Sequence, residues 1–229
     1  MTFISRRDLL KRAAAVGASP LATKSYLGPA FQGGHDVRPE RADLHDGMGG
    51  REPLENLTAS EADLLDAVVA RLIPTDAAGP GATEARAVRY IDRALGGPLA
   101  SSRPAYTSGL AALDRFARSL HGKSFTDLAP AAQDAVLTAV ESGAATGFTG
   151  SAAFFALLLS HTHQGTFGDP YYGGNANFVG WDLIGYPGVR TMVTVVDQER
   201  LEKGELKTNH KSAYDYDTFT KASGKTGGR

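Results

Sequence analysis

From Thr58 to His163 apolar residues recur every three or four positions. That spacing turns one face of an α-helix inward. Thr58-Ala59-Ser60-Glu61 has the form of a capping box, in which both side chains satisfy backbone N–H groups at a helix start. Leu64, Leu65, Val68, Val69 and Leu72 supply the inward face, and Pro74 stops the helix. A turn-rich loop, Asp76 to Gly81, follows. The spacing predicts a second helix over about 83–95, with Ala85, Val88, Ile91 and Leu95 inward and Gly96-Gly97-Pro98 closing it. A third spans about 103–120, burying Tyr106, Leu110, Leu113, Phe116, Ala117 and Leu120. Phe125 and Leu128 lead into a fourth, which opens at Pro130 and buries Val136, Leu137 and Val140. Gly143 and Gly147 separate it from an apolar fifth helix over about 151–163. There is no βαβ rhythm and no internal repeat. The expected class is mainly α: a single helical domain with a long Gly/Pro/aromatic-rich irregular loop region and flexible termini.

The pattern changes at Gln164. Up to Arg190 the chain is dense in Gly, Pro and aromatic residues, which no single regular element accommodates. Loops of this length are usually functional or disordered, and the aromatics favour structure, because they have surface to bury. Phe167, Tyr171, Tyr172, Trp181 and Tyr186 are the expected packing and partner-facing residues. Asp169 and Asn175 are expected to fix the loop internally, and Gly173, Gly174, Gly185 and Gly188 to hold turns. The expected organisation is a signal segment over 1–30, a polar linker over 31–56, the helical domain over 57–200 and a loose C-terminal tail over 201–229. Tyr214, Tyr216 and Phe219 give that tail the means to grip a neighbour.

The first residues carry an address. Ser5-Arg6-Arg7-Asp8-Leu9-Leu10-Lys11 precedes a short apolar run from Ala13 to Ala22, the layout of an export signal. The adjacent arginines, with Ser5, Leu9, Leu10 and Lys11 around them, point to the twin-arginine type, which carries folded cargo. Leu9 stands where that type often has Phe. The apolar run is too short to span a bilayer, and small residues place the mature start between about residues 23 and 32.

Composition narrows the chemistry. The 229 residues include 24 basic and 25 acidic side chains, and no basic stripe suggests nucleic acid. The absence of cysteine removes disulfides, iron–sulfur ligands, thiolate zinc sites and covalent haem attachment. Between Ser142 and Gly168 there is no Asp, Glu, Lys or Arg, but the solidly apolar part, Ala152 to Leu159, is too short for a membrane span and reads as a buried helix. No Gly-x-Gly-x-x-Gly follows a strand, and no Gly-x-Ser-x-Gly elbow occurs. Gly224-Lys225-Thr226 lacks the earlier glycine of a phosphate loop, because position 219 is Phe. Glu61 and Asp63 are better explained by helix capping than as an acid/base pair. His161-x-His163 with Asp169 is the one metal-like cluster. Two histidines two apart point to opposite sides of a helix, so they would share an ion only beyond its end. A folded-export label on a chain with no cofactor site of its own suggests a cofactor-bearing partner.

Two segments are similar to a known family. One is Leu57-Thr58 through Leu72-Ile73-Pro74-Thr75-Asp76, with Gly79-Pro80-Gly81-Ala82 and Tyr90-Ile91-Asp92. The other is His161 to Gly188, above all Gly165, Asp169-Pro170, Tyr172-Gly173-Gly174-Asn175, Gly180-Trp181 and Ile184-Gly185-Tyr186-Pro187-Gly188. Together they resemble the gluconate 2-dehydrogenase subunit 3 family over about residues 55–195. These are the small gamma subunits of membrane-associated flavin dehydrogenases for sugars and polyols. The resemblance implies a non-catalytic subunit with no cofactor in this chain. It implies FAD in a large partner subunit, and a multihaem cytochrome c as a possible third. It implies a role in maturing the flavoprotein and escorting it by the twin-arginine machinery to the periplasm or the periplasmic face of the inner membrane. The residues leave two rivals open: a stand-alone exported enzyme or metal-binding protein using His161, His163, Asp169 and Asp182, and a structural envelope protein without a flavin partner.

Overall fold

In the computed structural model, residues 53–77 and 79–220 are described, and their elements are helical, without a β-strand. The export-signal residues Ser5, Arg6, Arg7, Leu9, Leu10 and Lys11, and most of the 31–56 linker, lie outside the described residues. Helix α1 is Ala59–Leu72. Thr58 Oγ1 accepts from the Glu61 N–H and the Glu61 carboxylate accepts from the Thr58 N–H, completing the capping box. Its inward residues Leu64, Leu65, Val68, Val69 and Leu72 are buried, as the periodicity requires.

Helix α2, Ala87–Ala94, starts later than its apolar spacing suggests. The reason lies in the preceding turn. The Ala82 N–H donates to Ile73 O, Thr75 and Glu84 together hold the Gly81 N–H, and Arg86 takes a left-handed conformation (φ 56°). A left-handed residue cannot lie within an α-helix, so regular structure begins at Ala87.

Helix α3, Arg103–His121, and helix α4, Pro130–Glu141, match expectation, and both carry Pro in the first turn. Leu120 is a correction. It is exposed rather than inward, because the whole last turn of α3, from Arg118 to His121, is left uncovered.

Helix α5, Ser151–Phe167, is the central element and packs against α1, α2, α3 and α4. A helix covered on several sides needs an apolar surface all round, which accounts for the charge-free stretch from Ser142 to Gly168. It runs four residues beyond the expected end at His163, so Gly165 and Thr166 belong to it. The Gly/Pro/aromatic segment then folds through short 3-10 turns into helix α6, Val179–Ile184. Helix α7, Val195–Glu202, carries its own capping box of Thr194 and Asp197 and buries no residue. Helix α8 is the single turn Asp217–Thr220. These helices belong to one compact unit that begins at Leu54. Among the described residues no helix is long and apolar enough to cross a membrane.

Candidate functional site

The aromatic loop is built on close backbone approaches at the end of α5. A Cβ on Gly165 would lie 2.9 Å from the Ala87 backbone, so the glycine lets α5 meet the start of α2. A Cβ on Gly174 would stand 2.1 Å from Gly165 O, and one on Gly180 only 1.8 Å from Thr166 O. Gly174 therefore serves backbone contact rather than a turn of positive φ.

Asn175 joins these strands of chain. It is fully buried, donates from Nδ2 to Gly168 O at 2.8 Å and accepts from the Gly180 N–H on Oδ1 at 2.8 Å. Its own N–H donates to Gly165 O at 2.7 Å. One side chain thus ties the end of α5 to the start of α6.

Trp181 sits under the loop at 4% exposure, its Nε1–H donating to Phe167 O at 2.9 Å. Tyr186 meets it edge-on at 4.8 Å between ring centres, and Phe178 lies at 5.3 Å. Trp181 is consequently an internal anchor, and its indole is not offered to a partner. A shallow cleft of about 290 Å³ lies beside it, lined by Phe167, Asp169, Trp181, Ile184, Tyr186 and Val189.

Asp169 closes the cleft from the polar side. Its carboxylate accepts from the Tyr171 N–H at 2.9 Å, from Ser212 Oγ at 2.6 Å and from the Ala213 N–H at 3.0 Å. Tyr171 and Tyr172 point outward, 44% and 52% exposed. Tyr214 stacks on Tyr171 with ring centres 3.5 Å apart, and its hydroxyl meets that of Tyr172 at 3.0 Å. That hydrogen bond heads the causes that push the Tyr214 phenol up to about 12.

These contacts correct the expectation of a loose tail from residue 201. Residues 208–216 return onto the loop, because loop and tail carry complementary donors, acceptors and rings. The tail's Tyr214 and Tyr216 do grip a neighbour, but that neighbour is this chain's own loop.

A family model described as gluconate 2-dehydrogenase subunit 3 matches residues 59–188. The chain belongs to that family. The matched span opens on the first residue of α1 and closes at Gly188. It takes in the helical core and the aromatic loop and leaves α7 and the returning segment outside. Comparison with curated proteins and with solved structures gives no match.

Within this subunit 3 fold the metal-like cluster does not converge. His161 is buried, stacked on Tyr106 with its Nδ1 3.0 Å from the phenol oxygen. His163 lies elsewhere on the helix, tilted over Phe167, and its Nε2 is buried without a hydrogen-bond partner. Burial lowers the pKa of both imidazoles and so favours their neutral form. Asp169 is engaged by Ser212 and Ala213, and Asp182 pairs with His210 Nε2 at 2.9 Å. Among the described residues no group of three or more His, Asp or Glu side chains stands close enough to hold a metal ion.

Two features escape the sequence pattern. Asp92, on α2, is fully buried and accepts from the backbone N–H groups of Glu55, Asn56 and Leu57 at 2.8, 2.9 and 2.8 Å. It fixes the chain entering α1, and only its place in the Tyr90-Ile91-Asp92 segment hinted at a role. Met192, Val193, Val195, Val196 and Leu201 are all more than half exposed. The first four belong to an uncharged Thr-Met-Val-Thr-Val-Val run over 191–196.

Proposed function

We propose that this chain is the non-catalytic small subunit of a gluconate-type, FAD-dependent sugar or polyol dehydrogenase. In this reading it binds the large flavoprotein subunit while that subunit matures. It then takes the flavoprotein out of the cytoplasm on its own twin-arginine signal, to the periplasm or the periplasmic face of the inner membrane. FAD resides in the large subunit, and a multihaem cytochrome c receives the electrons.

The observation that carries the reading is the family match, which covers the helical core and the aromatic loop as one span. The site chemistry supports it. His161, Asp169, Asn175 and Asp182 are each committed to bonds that hold the fold. Around the loop and the segment after it, Tyr171, Tyr172, Ile184, Tyr186, Met192, Val193, Val195 and Val196 are large apolar or aromatic side chains exposed to solvent. Exposed surface of that composition marks a protein–protein contact better than it marks a reaction centre.

The test is co-expression with a large FAD-dependent dehydrogenase subunit from the same genome, this chain carrying its signal either intact or as Arg6→Lys with Arg7→Lys. Flavin and dye-linked dehydrogenase activity are then measured in the periplasmic and cytoplasmic fractions. The expected result is flavoprotein outside the cytoplasm with the intact signal and inside with the altered one. Export of active flavoprotein in the absence of this chain would overturn the proposal. The purified chain assayed alone for sugar oxidation and bound metal separates it from the stand-alone enzyme.

A further inference from the structure

We propose that residues 208–216 form a strap that closes over the aromatic loop and sets its conformation. The strap lies beyond the family-matched span, which ends at Gly188, so the loop is completed by chain outside that span.

Closure is made at four places. Asn209 donates from Nδ2 to Val189 O at 2.6 Å, and its own N–H donates to Pro187 O at 3.1 Å. His210 stacks on Phe178 at 5.2 Å between ring centres and meets the Asp182 carboxylate. Ser212 and Ala213 both donate to Asp169. Tyr214 stacks on Tyr171, and Tyr216 donates from its hydroxyl to Val189 O at 2.7 Å.

The loop is shaped for this contact. Gly188 has φ +82°, and a Cβ there would stand 2.1 Å from Asn209 Oδ1. Asp169 is also fitted to it. A carboxylate accepts on both oxygens, and here one takes Tyr171 N–H with Ser212 while the other takes Ala213 N–H. The same group therefore caps the loop's own 3-10 turn, Pro170–Tyr172, and fastens the strap.

The segment before the strap behaves differently. Helix α7 buries no residue, so the closed strap is held by what it touches on the loop rather than by the helix leading into it. Segments joined in this way open and close as one cooperative unit, separately from the helical core. Closed, the strap adds Tyr214 to Tyr171 and Tyr172 and gives a preset three-tyrosine face. A preset surface loses less entropy on association than a mobile one.

The experiment is amide hydrogen exchange on the full chain without any partner, so its outcome is independent of the flavoprotein reading. Wild type is compared with the double variant Asn209→Ala, Ser212→Ala, and separately with Tyr214→Ala. Both sets of substitutions lie on the strap and leave every loop side chain in place. Exchange over residues 169–189 should rise about tenfold or more, the effect of losing one or two side-chain hydrogen bonds, while exchange in α1 and α3 stays as it was. Trypsin should also cut faster at Lys211 in both variants. Unchanged loop exchange in both variants would overturn the strap. So would an equal rise across α1, α3 and the loop, because the segment would then open only with the whole fold.

Discussion

At the scale of single residues, the strongest demands come from groups with no freedom to be replaced. Asp92 is a fully buried carboxylate whose acceptors satisfy three successive backbone donors and the Arg89 guanidinium at 3.2 Å. Asp92→Ala leaves those donors without their acceptor and should cost about 3–5 kcal/mol, seen as a lower urea midpoint. Asp92→Asn keeps the shape but halves the accepting capacity and should fall between. Gly180 makes a sharper comparison. Gly180→Ala would put a methyl 1.8 Å from Thr166 O, so α5 and α6 must separate. Gly122 has φ +69° with nothing within 4 Å, and Gly122→Ala should cost only about 1 kcal/mol. If thermal melts show the two alanines equally tolerated, the close approach is not what fixes Gly180.

At the scale of elements, the loop is a set of anchors pressed onto the end of α5. Trp181 lies beneath them, bonded to Phe167 O and flanked by Tyr186 and Phe178. Trp181→Ala should cost about 3–5 kcal/mol, while Trp181→Phe, which keeps a ring and loses the N–H, should cost less. Denaturation followed by circular dichroism measures both. Any loss of partner binding in Trp181→Ala would then be a consequence of a collapsed loop, because the indole is covered. Sequence periodicity located α1, α3, α4 and α5 because their apolar faces repeat locally. It placed the start of α2 too early, because Ala85 continues the spacing while Arg86 breaks the backbone. It read Gln164 onward as irregular, because composition cannot register that Gly165 lies inside a helix whose neighbour needs the space.

At the scale of the whole molecule, charge and burial set the response to pH. Burial lowers the pKa of His161 and His163 in the folded chain, whereas in the unfolded chain they titrate near the ordinary value of about 6.5. The unfolded state therefore binds protons first as pH falls. Stability should be constant above that value and decline through the acid side, and His161→Phe should remove part of the slope. Glu61 acts in a separate window. Burial opposes its ionisation, but the Arg103 fork and the bonds from Thr58 outweigh it and hold its pKa low. Its contribution is present above the ordinary glutamate range of about 4.3 and is lost as pH falls through the lower folded value. Thermal melts at intervals between pH 3 and 8 should show two declines; a flat profile from 7 to 5 would contradict the neutral buried histidines.

Local order along the chain determined the helical class, the capping box at Thr58, the stop at Pro74 and the buried character of α5. Each rests on residues within a few positions of one another, where backbone geometry forces the pairing. The tertiary structure alone decided that Asp92 would hold residues 36 positions away, that Trp181 would face inward and that Ser212 would reach Asp169 across 43. Those outcomes depend on which backbones come within touching distance. Around Trp181 that approach is permitted by the missing side chain of Gly180, whose Cβ would stand 1.8 Å from Thr166 O, and no run of neighbouring residues reveals such a contact.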